Sequence, residues 1–274
     1  MKNKKQKVIY YNDENADDFA GTNINTAKID EKYKYVHTNP VWKFFEFIAY
    51  YLFALPLVWF YMRIILRVKF VNKKAIKKCK EPYYLYGNHT GFIDAFTPNL
   101  ISAPRKNMIV VGPDAVSIKG VKTLVEMLGA IPTPSDIKSA KNFVKAIEHH
   151  HKTRNITVYP EAHIWPYYTS VRSFADTSFS YPAKTNSPCF AFFTAYTKPK
   201  GFLSFLRKAN VTVYISEPIY ANENESLSQR KKHLRDEVYS FMKDSAKYSD
   251  YEVIKYVKRE DNCTENTDTY VVNQ

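Results

Sequence analysis

The apolar residues of this chain gather into one dense block and then spread into short, regularly spaced runs. The block is VWKFFEFIAYYLFALPLVWFYMRIIL, residues 41 to 66, in which Phe47 to Met62 passes 16 residues without a charge. Sixteen falls short of the roughly 20 apolar residues that a straight helical span requires. Pro56, in the middle of the block, predicts a kink, because proline lacks the N–H of the helix ladder. Trp42, Trp59 and several tyrosines suit headgroup depth, and Lys43, Arg63, Arg67 and Lys69 suit anionic lipid. The pattern predicts a kinked in-plane or re-entrant insertion rather than a clean span, with a buried core helix as the alternative.

Beyond residue 80 the periodicity changes, and strand-like runs alternate with helical ones. Strands are predicted at 83–87, 107–112, 130–133, 155–160, 187–196 and 209–216. Helices are predicted at 92–101, 117–129, 135–152 (with Ser135 as N-cap) and 226–248. Such alternation predicts an α/β fold, a mixed, mostly parallel β-sheet covered by helices, carrying an N-terminal membrane-associating helical segment. The division that follows is a polar, loosely ordered segment 1–38, a hydrophobic membrane-associating segment 39–70, one catalytic or binding domain 71–250, and a tail 251–274.

Composition changes this picture in two places. Glycine is scarce, 7 of 274 residues, yet Gly87 and Gly91 stand on either side of His89. A residue so rationed marks places where the backbone needs it. The formal charge of +13 favours an anionic partner, here an anionic membrane surface. Lysine and arginine are scattered rather than gathered into one aromatic-laced stripe, so no nucleic acid is expected. Three widely spaced cysteines form no metal or disulfide pattern, and Cys189 reads as a core residue. The N-terminus lacks the apolar core of a signal peptide, so the domain is expected on the cytoplasmic face of the membrane.

Candidate chemistry begins at YLYGNHTGFIDAF. His89 lies just past the carboxyl end of a predicted strand, where open α/β sheets place their ligands. Asp94 follows five residues later, about 140° away on an ideal helix. A turn at Thr90-Gly91 would let the carboxylate reach back to the imidazole, fix its tautomer and leave the other nitrogen free to take a proton. A capping histidine followed by an aspartate at a helix N-terminus is the plainer alternative. VYPEAHIWPYY places a second carboxylate, Glu161, just past another strand, with His163 two residues on. A divalent metal held by His89, Asp94, Glu161 and His163 is chemically conceivable, although no metal is expected. His149, His150 and His151 read as a solvated helix end, and KKAIKKCK (73–80) as a solvated or membrane-facing element.

GNHTGFID and VYPEAH together resemble the glycerolipid acyltransferase family, the 1-acylglycerol-3-phosphate acyltransferases and their relatives. That family carries an N-H-x-x-x-x-D motif, matched by Asn88-His89 and Asp94. An aromatic-Pro-Glu-Gly segment follows some seventy residues on, matched by Tyr159-Pro160-Glu161, 72 residues after His89. LGAIPT and SPCFAFFTAY are similar to two further blocks of the family. Ala162 stands where the family has glycine, His163-Ile164-Trp165 replaces Thr-Arg-Ser, and Thr133-Pro134-Ser135 stands near the usual place of a phosphate-holding arginine.

The resemblance implies a glycerol-3-phosphate acyltransferase-like fold and acyl transfer, in phospholipid biosynthesis, to the hydroxyl of a lysophospholipid such as 1-acylglycerol-3-phosphate. It implies acyl-CoA or an acyl carrier protein thioester as co-substrate and no cofactor. His89 would be the general base and Asp94 its orienter. Asn88, Thr90, Gly91, Glu161, Ala162, His163 and Arg172 would form the substrate site. Arg172, eleven residues past Glu161, is the expected phosphate-holding cation, with Lys138 and Lys141 as lesser candidates. A metal-dependent hydrolase using the same set, or a non-catalytic basic membrane-surface protein, is the alternative.

Overall fold

The computed structural model describes residues 6–21, 25–201 and 204–259. Along the chain, β1 (Lys7–Tyr11) precedes one long helix, Pro40–Ile65. That helix is built from α1 (Pro40–Phe47), a π-wound stretch (Ile48–Ala54), α2 (Leu55–Phe60) and a second π-wound stretch (Tyr61–Ile65). There follow β2 (Lys69–Val71), α3 (Lys73–Lys78), β3 (Tyr84–Gly87), α4 (Thr97–Ser102), β4 (Asn107–Val111), α5 (Lys122–Met127) and β5 (Ala130–Pro132). The chain continues through α6 (Ile137–His151), β6 (Asn155–Val158), α7 (Ser180–Thr185), β7 (Cys189–Thr197), β8 (Asn210–Ile215), α8 (Leu227–Ala246) and β9 (Ile254–Lys258).

Seven strands form one sheet in the order β2-β8-β7-β3-β6-β4-β5, parallel except where β7 meets β8. This is the expected mixed, mostly parallel sheet. Central β3 and β6 are buried along their whole length, because helices cover both faces and a parallel strand there must be apolar on both sides. β8, beside the short edge strand β2, instead alternates between buried and half-buried positions. The alternation of side chains along β3 divides the core. Tyr84 and Tyr86 join α6 and α8 on one face, while Tyr83 and Leu85 join Leu100, Ile101, Phe192 and Met62 on the other.

Several expected elements take a different form. The 92–101 helix divides into a 3₁₀ turn (Phe92–Ala95) and α4, which starts at Thr97-Pro98, where a proline is tolerated only in the first turn. The 117–129 helix shortens to α5 because Gly120 turns with φ +83 and separates it from the preceding 3₁₀ turn. Asp136, not Ser135, caps α6: its carboxylate accepts from Ser139 N at 2.9 Å, while the Ser135 hydroxyl accepts from Ile29 N at 2.8 Å. His150 and His151 are buried rather than solvated, with Nε2 atoms bonded to Tyr35 O and Ser187 Oγ. Burial pushes both imidazoles down to about 4.

The largest difference lies at the termini. The segment expected to be loosely ordered is, over its described residues, a strap laid along the domain. β1 pairs in parallel with β9, from Lys7 opposite Ile254 to Tyr11 opposite Lys258. Trp165 Nε1 donates to Asp17 O at 2.8 Å, Ile29 is buried, and the Tyr35 hydroxyl donates to Pro132 O. The expected tail therefore contributes a strand at 254–258, and its remainder from 260 lies outside the described residues.

The long helix has 26 residues, and an 18-residue window within it has mean hydropathy 1.6, so by length and composition it suffices to cross a membrane. At 1.5 Å per residue it reaches about 39 Å, against a hydrocarbon core of about 30 Å. Pro56 does not end it. The preceding turn is π-wound, with Leu55 N bonded to Tyr50 O, so the gap in the ladder falls where the winding is already wider. One stripe is fastened to the domain along the helix's length. Glu46 pairs with Lys106 at 2.6 Å and Arg154 at 2.9 Å, Tyr50 Oη donates to Asn99 Oδ1 at 2.9 Å, and Met62 is buried in the core. The opposite stripe, with Phe44, Phe53, Leu57 and Phe60, is more than half exposed.

Candidate active site

β3 and β6 are parallel neighbours, Tyr86 opposite Val158, so the loops that follow them leave the sheet side by side. Gly87 ends β3 where a Cβ would come within 2.0 Å of the Phe192 ring, so close approach to β7 demands glycine. Asn88 is fully buried and clamps the strand end to β7. Its Oδ1 accepts from Thr194 N at 2.8 Å and its Nδ2 donates to Thr194 O at 3.3 Å.

His89 therefore leaves the sheet at a fixed point. Its Nδ1 donates to Asp94 Oδ2 at 2.9 Å, and its ring stacks on Tyr159 with centroids 4.4 Å apart and planes 17° apart. Asp94 reaches back because Phe92–Ala95 is a tight 3₁₀ turn. The same oxygen also accepts Thr90 N at 2.6 Å and Gly91 N at 2.9 Å. Gly91, at φ +157 and ψ −173, occupies a region that is essentially glycine's alone. The second glycine beside His89 thus folds the chain so that Asp94 meets the imidazole. Asp94 is fully buried while the His89 side chain keeps 18% of its surface exposed, so the anion sits behind the ring and the ring faces out. Tyr159 Oη donates to the Asp94 carbonyl, and burial followed by the Asp94 charge pushes its phenol well up. Thr90 Oγ1 lies 2.8 Å from Tyr196 Oη.

The loop after β6 is joined to this one through Glu161. Its Oε2 accepts His89 N at 3.1 Å and Arg172 Nη2 at 3.1 Å, and its Oε1 accepts Arg172 N at 3.0 Å. Burial pushes this carboxyl above its ordinary value, and the Arg172 guanidinium with the two backbone N–H donors opposes the rise. Backbone pairs continue the seam, with Trp165 N on His89 O at 3.1 Å and Tyr167 N on Thr90 O at 2.9 Å. Ala162, exposed, sits at φ +64. His163 faces the strap, its Nδ1 3.7 Å from Asp18 Oδ2. Among the described residues no three His, Cys, Asp or Glu side chains converge as a metal site.

Arg172 is not placed to grip a substrate phosphate. Its side chain is fully buried and committed to Glu161, to the carbonyls of His163 and Glu14, and to the face of Trp165, 4.9 Å from the ring centroid. Lys138 and Lys141 start α6 after the edge strand β5, three strands from β3 and so about 14 Å away across the sheet. The connection from β7 to β8 opens on the same rim as His89, since β7 runs parallel to β3. It carries Lys208, whose Nζ is 5.7 Å from the Tyr167 ring, and buried Arg207, whose Nε has no partner among the described residues. Reading the sequence alone missed these two and Tyr196. Arg207 and Lys208 lie on the loop after β7, outside every quoted block, and Tyr196 ends the SPCFAFFTAY block with no signal of its own; only the sheet order brings them to the rim.

No protein-family model matches the sequence, and no curated protein matches it. In fold, the chain is similar to the crystal structure of the 1-acyl-sn-glycerophosphate (LPA) acyltransferase, PlsC, from Thermotoga maritima. The TM-score is 0.50 at 17% identity, over 70% of this chain and 78% of that one. The chain thus has the fold of the family its two motifs resemble.

Proposed function

We propose that the chain is a membrane-bound acyltransferase that moves a fatty acyl group from acyl-CoA or an acyl carrier protein thioester to a lysophospholipid hydroxyl. The observation that carries this is the His89–Asp94 pair, outward-facing ring over buried carboxylate, at the end of a central strand of a PlsC-like fold. With Nδ1–H held by Asp94, Nε2 carries a lone pair and takes the acceptor's hydroxyl proton as its oxygen attacks the thioester carbonyl. The C–S bond then breaks, and the imidazolium returns the proton to the departing thiolate. No side-chain nucleophile is needed, which suits a Cys189 buried in the core. Glu161 serves the site by holding the His89 backbone to the second loop.

In this reading the acceptor is 1-acylglycerol-3-phosphate, and Arg207 and Lys208 replace Arg172 as the source of charge for its phosphate, since a desolvated dianion needs a cation. The helix Pro40–Ile65 lies in the membrane surface on the cytoplasmic side. Its attachment to the domain at Glu46, Tyr50 and Met62 leaves the other stripe free to enter lipid while the domain stays outside. The test is to incubate the protein in lipid vesicles with acyl-CoA or acyl carrier thioester and a panel of lysolipids, and to read products by mass. Diacyl product from a lysophospholipid supports the reading. Thioester hydrolysis alone, or product that requires added zinc or manganese, overturns it.

A further inference from the structure

Between the long helix and the sheet edge lies an open groove of about 620 Å³, lined by Leu55, Pro56, Trp59 and Arg63 from the helix and by Phe70, Lys73, Leu100 and Ala103 from the domain. None of these residues belongs to the site around His89. Leu100 and Ala103 lie at the far end of α4, the helix that leads away from that site. The volume falls within the roughly 300–1,000 Å³ of ordinary ligand sites.

Its polar end is the unusual part. Arg63 and Lys73 both stand over the Phe70 ring, at 5.8 Å and 5.5 Å from its centroid, so two like charges gather at one aromatic ring. The acceptors they reach are backbone carbonyls, Val68 O for Arg63 and Leu100 O for Lys73. Among the described residues neither has a carboxylate partner. Burial lowers the Lys73 ammonium's pKa, and the charges that add to the effect are cations, Lys77 and Arg63. Two cations brought together without an anion repel each other, and a bound anion relieves this. The remaining wall is apolar and runs into the exposed stripe of the helix at Trp59 and Leu57. A molecule that fills this groove has an anionic head and a hydrocarbon body.

We infer that this groove holds one anionic membrane phospholipid, its phosphate between Arg63 and Lys73 and an acyl chain along Leu55 and Trp59. The inference rests on the reading of the helix as membrane-embedded, and it adds a structural lipid site distinct from the catalytic one. Part of the affinity for an acidic membrane then comes from one site rather than from spread surface charge.

Flotation of the full-length protein with phosphatidylcholine vesicles, and with vesicles mixed with phosphatidylglycerol, separates the two ideas. The unaltered chain should bind both and favour the anionic vesicles tenfold or more, with much of that preference surviving salt at about 1 M, where exposed charges are screened beyond about 3 Å. R63Q with K73Q should erase the preference while keeping the binding to neutral vesicles. R67Q with K69Q removes the same charge from neighbouring positions that do not line the groove and should keep most of the preference. Equal losses from the two double variants, or no preference in the unaltered chain, overturn the site and leave the membrane reading standing. Failure to bind either vesicle overturns the membrane reading, and the site falls with it.

Discussion

Two buried carboxylates stand on adjacent loops of this protein and do opposite things. Asp94 gathers two backbone N–H groups and one imidazole on a single oxygen, and the ring it holds remains open to solvent. Glu161 divides its oxygens between the backbone of His89 and both the backbone and guanidinium of Arg172, whose side chain is fully enclosed. One carboxylate holds a ring that faces out of the fold. The other fastens two loops together. A carboxylate past a strand end is thus not a catalytic signature in itself; what matters is whether its partner reaches the surface.

The contrast breaks most sharply at His89. H89A should leave the protein folded and lower acyl transfer by about 10² to 10⁴-fold, the usual worth of a positioned base. D94N should also impair turnover strongly, because an amide does not hold the same tautomer. Near-normal turnover by a folded H89A protein, judged by far-ultraviolet circular dichroism and product mass, would sink the mechanism.

At the other carboxylate the expected loss is of stability. R172M leaves Glu161 buried without its counter-charge, and breaking such a pair is worth about 3–5 kcal/mol. Urea unfolding should show this directly, with activity falling because the His89 loop loosens. E161Q keeps an acceptor for His89 N but leaves the Arg172 guanidinium buried without its counter-charge, and arginine cannot shed its proton, so it should destabilise by a similar amount. If R172M unfolds like the parent yet raises the acceptor KM at least tenfold, Arg172 is a phosphate ligand after all and the contrast fails.

How much of this could be read from the sequence depended on distance along the chain. The His-to-Asp reach spans five residues and needs only a turn, so Gly91 was a sufficient local signal. The alternating sheet was legible because central parallel strands are apolar throughout. The strap was not, because β1 and β9 are isolated five-residue runs that pair across more than 240 residues. Neither strand carries a local signal that it has a partner. Arg172 was legible as a cation near Glu161, but its direction was set by Trp165 and by a strap whose ordering local composition does not reveal.

The inward histidines sharpen the contrast on the pH axis. His150 and His151 are held neutral in the fold with pKa values of about 4, below the value of about 6.5 in an unfolded chain. The unfolded state therefore binds more protons between these values. Stability should be fully present above about pH 6.5, fall as pH drops toward about 4, and level off in this contribution below that. H151Q should flatten the fall in a series of urea melts. An unchanged slope would mean that this ring is not buried neutral.

The smallest effect concerns the loop that carries Glu161. Ala162 adopts φ +64, a left-handed conformation that strains a residue with a Cβ by about 1–2 kcal/mol. A glycine there escapes that strain but brings about 0.5–1 kcal/mol more chain entropy to the unfolded state. A162G should therefore stabilise the protein by on the order of 0.5–1 kcal/mol in urea melts. Ala162 is exposed, and its one backbone bond, N to Tyr159 O at 3.1 Å, does not involve the side chain, so turnover should stay within about twofold of the parent. That outcome would show that the Glu161 loop acts as a fastener whose stability can be raised without touching the chemistry at His89. A less stable A162G would mean that the loop does not hold the left-handed turn on which its alignment with His89 depends.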